Sequence, residues 1–255
     1  MQYIEGNIID VHRREIYPGT ISINFGKIVS INRNSKKYTH YISPGFIDAH
    51  VHIESSMLIP EEFSKLAICR GTIAIINDPH EIANVMGVEG IDYMIENSKR
   101  SAIKSFFTIP SCVPATPYDS AGSVLLSSEI EKLANDHDFV GLSEMMNVPG
   151  VVRHDPEVWA KLEIARRHHL VIDGHAPGLS GAPLKKYIDA GISTDHECTS
   201  LEEAIEKIAL GMKILIREGS AAKNYEALKS LIADYPEKVM FCMIPILMIY
   251  YHPVK

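Results

Sequence analysis

Two hydrophobic rhythms divide the chain. Over residues 3–43, short β-type runs at 7–11, 20–24 and 27–31 are broken by Pro18-Gly19 and by Gly26, which predicts a small β-sheet. After Pro44 the rhythm becomes an apolar run, a polar junction and a helix-length amphipathic stretch, repeated at fairly regular spacing. That alternation is the mark of successive βα units. Eight strands are predicted, at 45–52, 72–78, 106–112, 139–144, 170–175, 192–197, 213–218 and 238–243. Helices are predicted between them at 60–69, 89–99, 127–135, 156–168, 184–190, 201–210 and 224–234. Ser128 ahead of Glu131 reads as a helix start, and Gly191 and Gly211 read as helix stops. Eight βα units make an α/β fold of the TIM-type (β/α)8 barrel kind. An open doubly wound sheet is disfavoured, because no GxGxxG or GxxxxGK(S/T) phosphate loop follows any strand.

Composition narrows the partners. The chain has 255 residues, 46% hydrophobic and 22% charged, an ordinary globular balance with material for a sizeable core. Its net charge of -7 argues against nucleic acid, which needs a concentrated basic surface, and favours a small neutral substrate. The first ten residues include Glu5 and Asp10 and show no basic or apolar signal region, so no secretory leader is expected. The most apolar stretch, 239–251, is shorter than the ~20 residues of a bilayer crossing and contains Pro245, so no membrane partner is expected. Cys69, Cys112, Cys198 and Cys242 lie far apart without a CxxC pair, as expected of buried thiols in a reducing cytoplasm.

The chemistry gathers at predicted strand ends. His50 and His52 are two apart, so a strand presents both imidazoles on one face. His80 follows the second predicted strand, Glu144 ends the fourth, His175 the fifth and His196 lies at the end of the sixth. In a barrel these ends converge, and imidazole with carboxylate is a donor set for Zn, Mn or Fe. Glu81, beside His80, is a candidate proton shuttle or a group that orients a ligand. Glu54 and Ser55 follow the His-x-His pair and are candidates to line the pocket. Arg217, Glu218 and Ser220, at the seventh strand end, are candidates to bond the polar edges of a substrate, or else form a strand-end salt bridge and cap.

Longer motifs carry a resemblance. Pro-Gly-Phe-Ile-Asp-Ala-His-Val-His at 44–52 is shared across the amidohydrolase superfamily. His-Ile-Glu-Ser-Ser-Met at 52–57, Asn-Asp-Pro-His-Glu-Ile at 77–82, Gly-Leu-Ser-Glu-Met-Met at 141–146, Asp-Gly-His-Ala-Pro-Gly at 173–178 and Ile-Arg-Glu-Gly-Ser-Ala-Ala at 216–222 together resemble the adenine deaminase family, from about residue 6 to 240. The resemblance implies a binuclear divalent metal centre, with manganese or iron and zinc as a further option. In it His50 and His52 hold one metal, His175 and His196 the other, and Glu144 bridges them in place of the carboxylated lysine of many relatives. His80 and Glu81 are then the acid/base candidates. It also implies conversion of adenine and water to hypoxanthine and ammonia by metal-hydroxide attack on C6, as part of cytoplasmic purine salvage by a homo-oligomer. Metal ions serve such attack by lowering the pKa of bound water from 15.7 toward ~7.

The resemblance fails at the end of the chain. The family places a Cys-Thr-Asp-Asp run at the eighth strand end, where an aspartate moves the proton, whereas residues 242–245 read Cys-Met-Ile-Pro. Two GAT codons read one base out of frame contain ATG-ATT, which encodes the Met243-Ile244 pair. The expected organisation is therefore a partial β-sandwich segment at 1–43, a C-terminally incomplete amidohydrolase barrel at 44–242 and an aberrant tail at 243–255. The alternatives are an inactive amidohydrolase remnant and a cyclic-amide hydrolase of the same superfamily, separable by whether adenine yields hypoxanthine and ammonia.

Overall fold

Residues 1–116, 118–219 and 222–242 are described by the structure, a computed structural model. The expected aberrant tail at 243–255 lies outside the described residues, as does Ser220. The chain divides into two compact units, one of residues Met1–Phe46 and one that begins at Ile47.

The first unit is a four-stranded sheet. Its strands are β1 (Gln2–Asp10), β2 (Glu15–Asn24), β3 (Lys27–Arg33) and β4 (Tyr41–Ile42), in the order β3-β2-β1-β4. β1 pairs antiparallel with β2 from Gln2 opposite Ile23 to Asp10 opposite Glu15. Gly26, at φ +71°, makes the β2–β3 turn where a side chain would be strained. Ile8, Tyr17 and Ile21 form the small core of this unit.

The second unit continues the strand count with β5 (Phe46–Val51), β6 (Thr72–Asn77), β7 (Lys104–Ile109), β8 (Gly141–Met145), β9 (Val171–Gly174), β10 (Thr194–Asp195), β11 (Lys213–Arg217) and β12 (Val239–Cys242). Sheet order follows chain order, β5 to β9 and then β10 to β12, and an isolated parallel bridge from Ile172 to Ile192 links the two sets. The ladders from β6 through β9 and from β10 through β12 are parallel. The result is a curled parallel half-barrel, and among the described residues no ladder joins β12 to β5.

Helices α1 (Pro60–Ile68), α2 (His80–Met86), α3 (Val88–Ser98), α4 (Ser127–Asp136), α5 (Val148–Val152), α6 (Pro156–Arg167), α7 (Gly181–Asp189), α8 (Leu201–Ala209), α9 (Tyr225–Leu228) and α10 (Leu231–Asp234) fill the connections. Their apolar stripes bury Phe63, Ile91, Ile130, Leu162 and Leu184 against the sheet residues Ile75, Ile109, Leu142 and Ile172. Each such side chain contributes about 1.5–3 kcal/mol on burial.

Several local expectations are corrected. The predicted strand at 192–197 keeps regular pairing only at Thr194–Asp195, because the chain turns away where its histidine enters the interior. The predicted helix at 224–234 is two short helices, α9 and α10. Helix α4 starts at Ser127, and Glu129 rather than Glu131 reaches back, accepting from Leu126 N–H at 3.0 Å. Gly191 and Gly211 do end helices, at φ +94° and +108°. Cys112, Cys198 and Cys242 are buried, but Cys69 at the end of α1 is exposed. Among the described residues no helix is long and apolar enough to cross a membrane.

Candidate metal centre

Parallel strands end at one rim, and the chemistry-bearing side chains collect there. His50 lies in β5 and His52 directly after it, Asp78 follows β6, Glu144 lies in β8, His175 follows β9, and His196 follows β10. The ligand-type atoms of His50, His52, Asp78 and Glu144 all fall within 4.8 Å of one another, and so do those of Glu144, His175 and His196. Glu144 joins the two groups. Its Oε1 stands 3.3 Å from His52 Nε2 and 3.6 Å from His80 Nδ1, while its Oε2 stands 2.6 Å from His175 Nδ1 and 3.1 Å from His196 Nε2.

The imidazoles are held from behind. His50 Nδ1 meets Asp173 Oδ2 at 2.6 Å, and Asp173 in turn accepts from the Thr194 hydroxyl. His52 Nδ1 meets the Asp78 carbonyl at 3.0 Å. With both Nδ1 atoms donating, His50 Nε2 and His52 Nε2 turn lone pairs toward each other across only 3.0 Å. That pair is stable only with positive charge between the two nitrogens, and a divalent cation or a shared proton supplies it. His196 Nδ1 is buried with no partner, a second sign that this donor set is built for more than its own hydrogen bonds. Backbone support is equally specific: Tyr187 Oη accepts from His175 N–H at 3.0 Å and donates to the Met145 carbonyl at 2.6 Å.

Burial opposes charge on every group here, and in most cases the partners outweigh it. Burial pushes the Glu144 carboxyl up, but His196, His175 and His52 hold it well below the usual carboxylate range. Burial pulls His52 down, yet Glu144 and Asp78 lift it to about 10. His196 is lifted well above its ordinary value by Glu144 and Glu197 against the same burial. His50 remains below its ordinary value, because burial and the neighbouring His196 outweigh Asp173.

The other sequence candidates divide. His80 Nδ1 lies 3.0 Å from Asp78 Oδ2, at the edge of the cluster. Glu81 accepts from the Ser55 hydroxyl, which ties those two candidates to each other. Glu54 is partly buried; Oε1 accepts from Ile82 N–H at 3.2 Å, Oε2 has no partner, and burial raises the carboxyl to about 7. Arg217 gives both terminal nitrogens to Glu197 at 2.7 and 2.8 Å, and Glu197 Oε1 stands 3.3 Å from His196 Nε2. Glu218 is exposed and faces Lys223 at 3.8 Å, so the structure does not bring it to the cluster.

Sequence reasoning passed over Asp78, Asp173 and Glu197. One signal for the first two was present: aspartate two residues before histidine recurs at Asp48-x-His50, Asp78-x-His80 and Asp173-x-His175. On a strand that spacing puts both side chains on one face.

Glu197 gives a test of the electrostatics. Burial pushes its carboxyl up, but His196 and Arg217 bring it down to about 2, from 4.5. A carboxyl depressed by folding contributes stability that is complete above pH 4.5 and is lost as pH falls toward 2. In cation-free protein, Glu197→Gln is expected to flatten the fall of Tm across that window. An acid branch as steep as that of the parent chain would count against this pairing.

Comparison with known proteins places the site in a family context. The model of the amidohydrolase family matches residues 41–245. An adenine deaminase of Methanosarcina barkeri is 55% identical over 95% of this chain, and one of Sulfurovum sp. is 53% identical over 94%. This chain spans only 44% and 45% of the lengths of those relatives. In fold it is similar to a zinc-complexed atrazine chlorohydrolase of Arthrobacter aurescens, with TM-score 0.62 and 15% identity over 96% of this chain and 72% of that one. An N-acetyl-D-glucosamine-6-phosphate deacetylase of Mycobacterium smegmatis has TM-score 0.59 and 10% identity over 95% of this chain and 70% of that one.

Proposed function

This chain belongs to the amidohydrolase family, and we propose that it carries the cation-binding half of an adenine deaminase, which converts adenine and water to hypoxanthine and ammonia. The observation that carries the reading is Glu144, whose two oxygens face separate imidazole sets, His52 with His50 on one side and His175 with His196 on the other. The bridging carboxylate fits a pair of divalent cations, and the imidazole and carboxylate donors suit manganese or iron, with zinc as the further option. His50 and His52 would hold one cation, His175 and His196 the other, and Glu144 both. Such a cation makes water a usable nucleophile at neutral pH.

The remaining chemistry falls to the protein. Water adds at C6 while ring nitrogen N1 takes one of its protons; the bond to the exocyclic nitrogen then breaks, the second water proton reaches that nitrogen so that it departs as ammonia, and the added oxygen is left as the C6 carbonyl. His80, oriented by Asp78 at Nδ1, holds and returns that proton at its other nitrogen. Glu81 and Ser55 brace one another beside it, and Glu54 backs the same turn through Ile82. Arg217 keeps Glu197 ionised beside His196, on the side of the site assigned to the purine. The strong adenine deaminase similarity supports adenine over a cyclic amide as the substrate.

The test is to load the chain with manganese, supply adenine and follow ammonia and hypoxanthine. Stoichiometric formation of both is expected. A manganese-loaded chain that leaves adenine intact, or that opens a cyclic amide instead, would overturn the assignment.

A further inference from the structure

Directly behind two of the cluster's histidines the structure places a second set of buried charges. Lys207, in α8, is fully buried, and its Nζ donates to Asp195 Oδ2 at 2.8 Å, to Glu203 Oε1 at 2.7 Å and to the Ala176 carbonyl at 2.6 Å. Those three bonds use every donor an ammonium has. Asp195, equally buried, also accepts from Ala176 N–H at 2.9 Å and from Cys198 Sγ at 3.1 Å. Asp195, Cys198 and Glu203 present ligand-type atoms within 4.8 Å of one another, but the Lys207 ammonium already supplies the positive charge that such a group attracts.

The position of this cluster in the chain gives it meaning. Ala176 directly follows His175, and Asp195 directly precedes His196. Neighbouring residues at a strand end project to opposite sides, so Asp195 turns toward Lys207 while His196 turns toward Glu144. Lys207 and Asp195 together grip both the N–H and the carbonyl of Ala176. Buried ion pairs are weak contributors to stability compared with apolar packing of the same volume, but they are strongly directional. Direction is what two histidines on loop segments require.

We propose that Lys207 is a positioning residue for the cation centre: through Asp195 and Ala176 it fixes His175 and His196 where both meet Glu144. The proposal rests on the reading of that centre as a divalent cation site. It goes further in assigning the geometry of one half of the centre to a lysine that touches no ligand atom.

Cobalt(II) titration of the full chain tests it, with affinity measured by chelator competition and ligand geometry by the visible absorption bands. The Asp195→Asn/Lys207→Met double variant removes both charges and keeps the volumes. It is expected to keep its helical circular dichroism, to bind cobalt(II) about 10- to 100-fold more weakly, as loss of groups that orient ligands does, and to show altered bands. Asp195→Asn alone leaves Lys207 paired with Glu203, and it decides the matter should the double variant fail to fold; a loss of about tenfold is expected. Leu133→Ala, in the buried face of α4, shows what general loosening does. Parent-like affinity and bands in the folded variants, or a loss no larger than that of Leu133→Ala, would overturn the proposal. Failure of the parent chain itself to bind cobalt(II) would overturn the cation site and this proposal with it.

Discussion

Replacement of Glu144 by glutamine is expected to strip the chain of bound divalent cation. The carboxylate is buried, and its two oxygens face His52 on one side and His175 and His196 on the other. A glutamine keeps the volume but offers one neutral oxygen and a pair of N–H donors, so one imidazole set loses its anionic partner and meets a donor instead. Cation content, read by elemental analysis after gel filtration, should fall below one per chain. Several kcal/mol of transition-state stabilisation are at stake in a cation site. At about 1.4 kcal/mol per tenfold, adenine deamination should drop by ~10²- to 10⁴-fold. Unchanged cation content in Glu144→Gln would remove the bridging role, whatever happened to the rate.

The largest expected effect on stability lies at Gly174, the last residue of β9. An added Cβ there would collide with the Thr194 carbonyl and stand 2.7 Å from Ile192 Cγ2, where the isolated bridge joins the two parallel sheets. The carbonyl is backbone and the Ile192 side chain is itself buried, so neither yields easily. Gly174→Ala should cost about 3 kcal/mol, the upper end for overpacking. In a chain of this size that is a Tm lower by roughly 6–12 °C. Gly178 makes the contrast, since it sits at φ +65° with open space around it, and its alanine variant should cost about 1–2 kcal/mol from backbone strain alone. Equal melting temperatures for the two variants would show that the β9–β10 approach is looser than described. Because Gly174 precedes His175, the same variant should also weaken cation binding.

Much of the site was legible along the chain. His50 and His52 obey the two-residue period of a strand, and Glu144 and His175 come at the ends of apolar runs long enough to be strands. A strand end is a local property, so its position could be read without knowing what lies across the rim. The groups that hold those side chains were harder to see. Asp173 reaches His50 across 123 residues, Tyr187 supports both His175 and Met145, and Lys207 sits on a helix whose pattern alone reads as an ordinary amphipathic face. Arg217 was legible as a strand-end cation but not as the partner of Glu197, which lies one position beyond His196.

By itself, then, the sequence determined the order and type of the βα units, the small leading sheet and the strand-end positions of His50, His52, Glu144 and His175, because each follows from spacing within a few residues. Only the tertiary structure decided that Glu144 stands between two imidazole sets, that His50 and His52 face each other nitrogen to nitrogen, and that a buried lysine grips the backbone behind the other two histidines. Those facts depend on which strands lie side by side once the sheet curls, and no local pattern of residues encodes a distance across the rim.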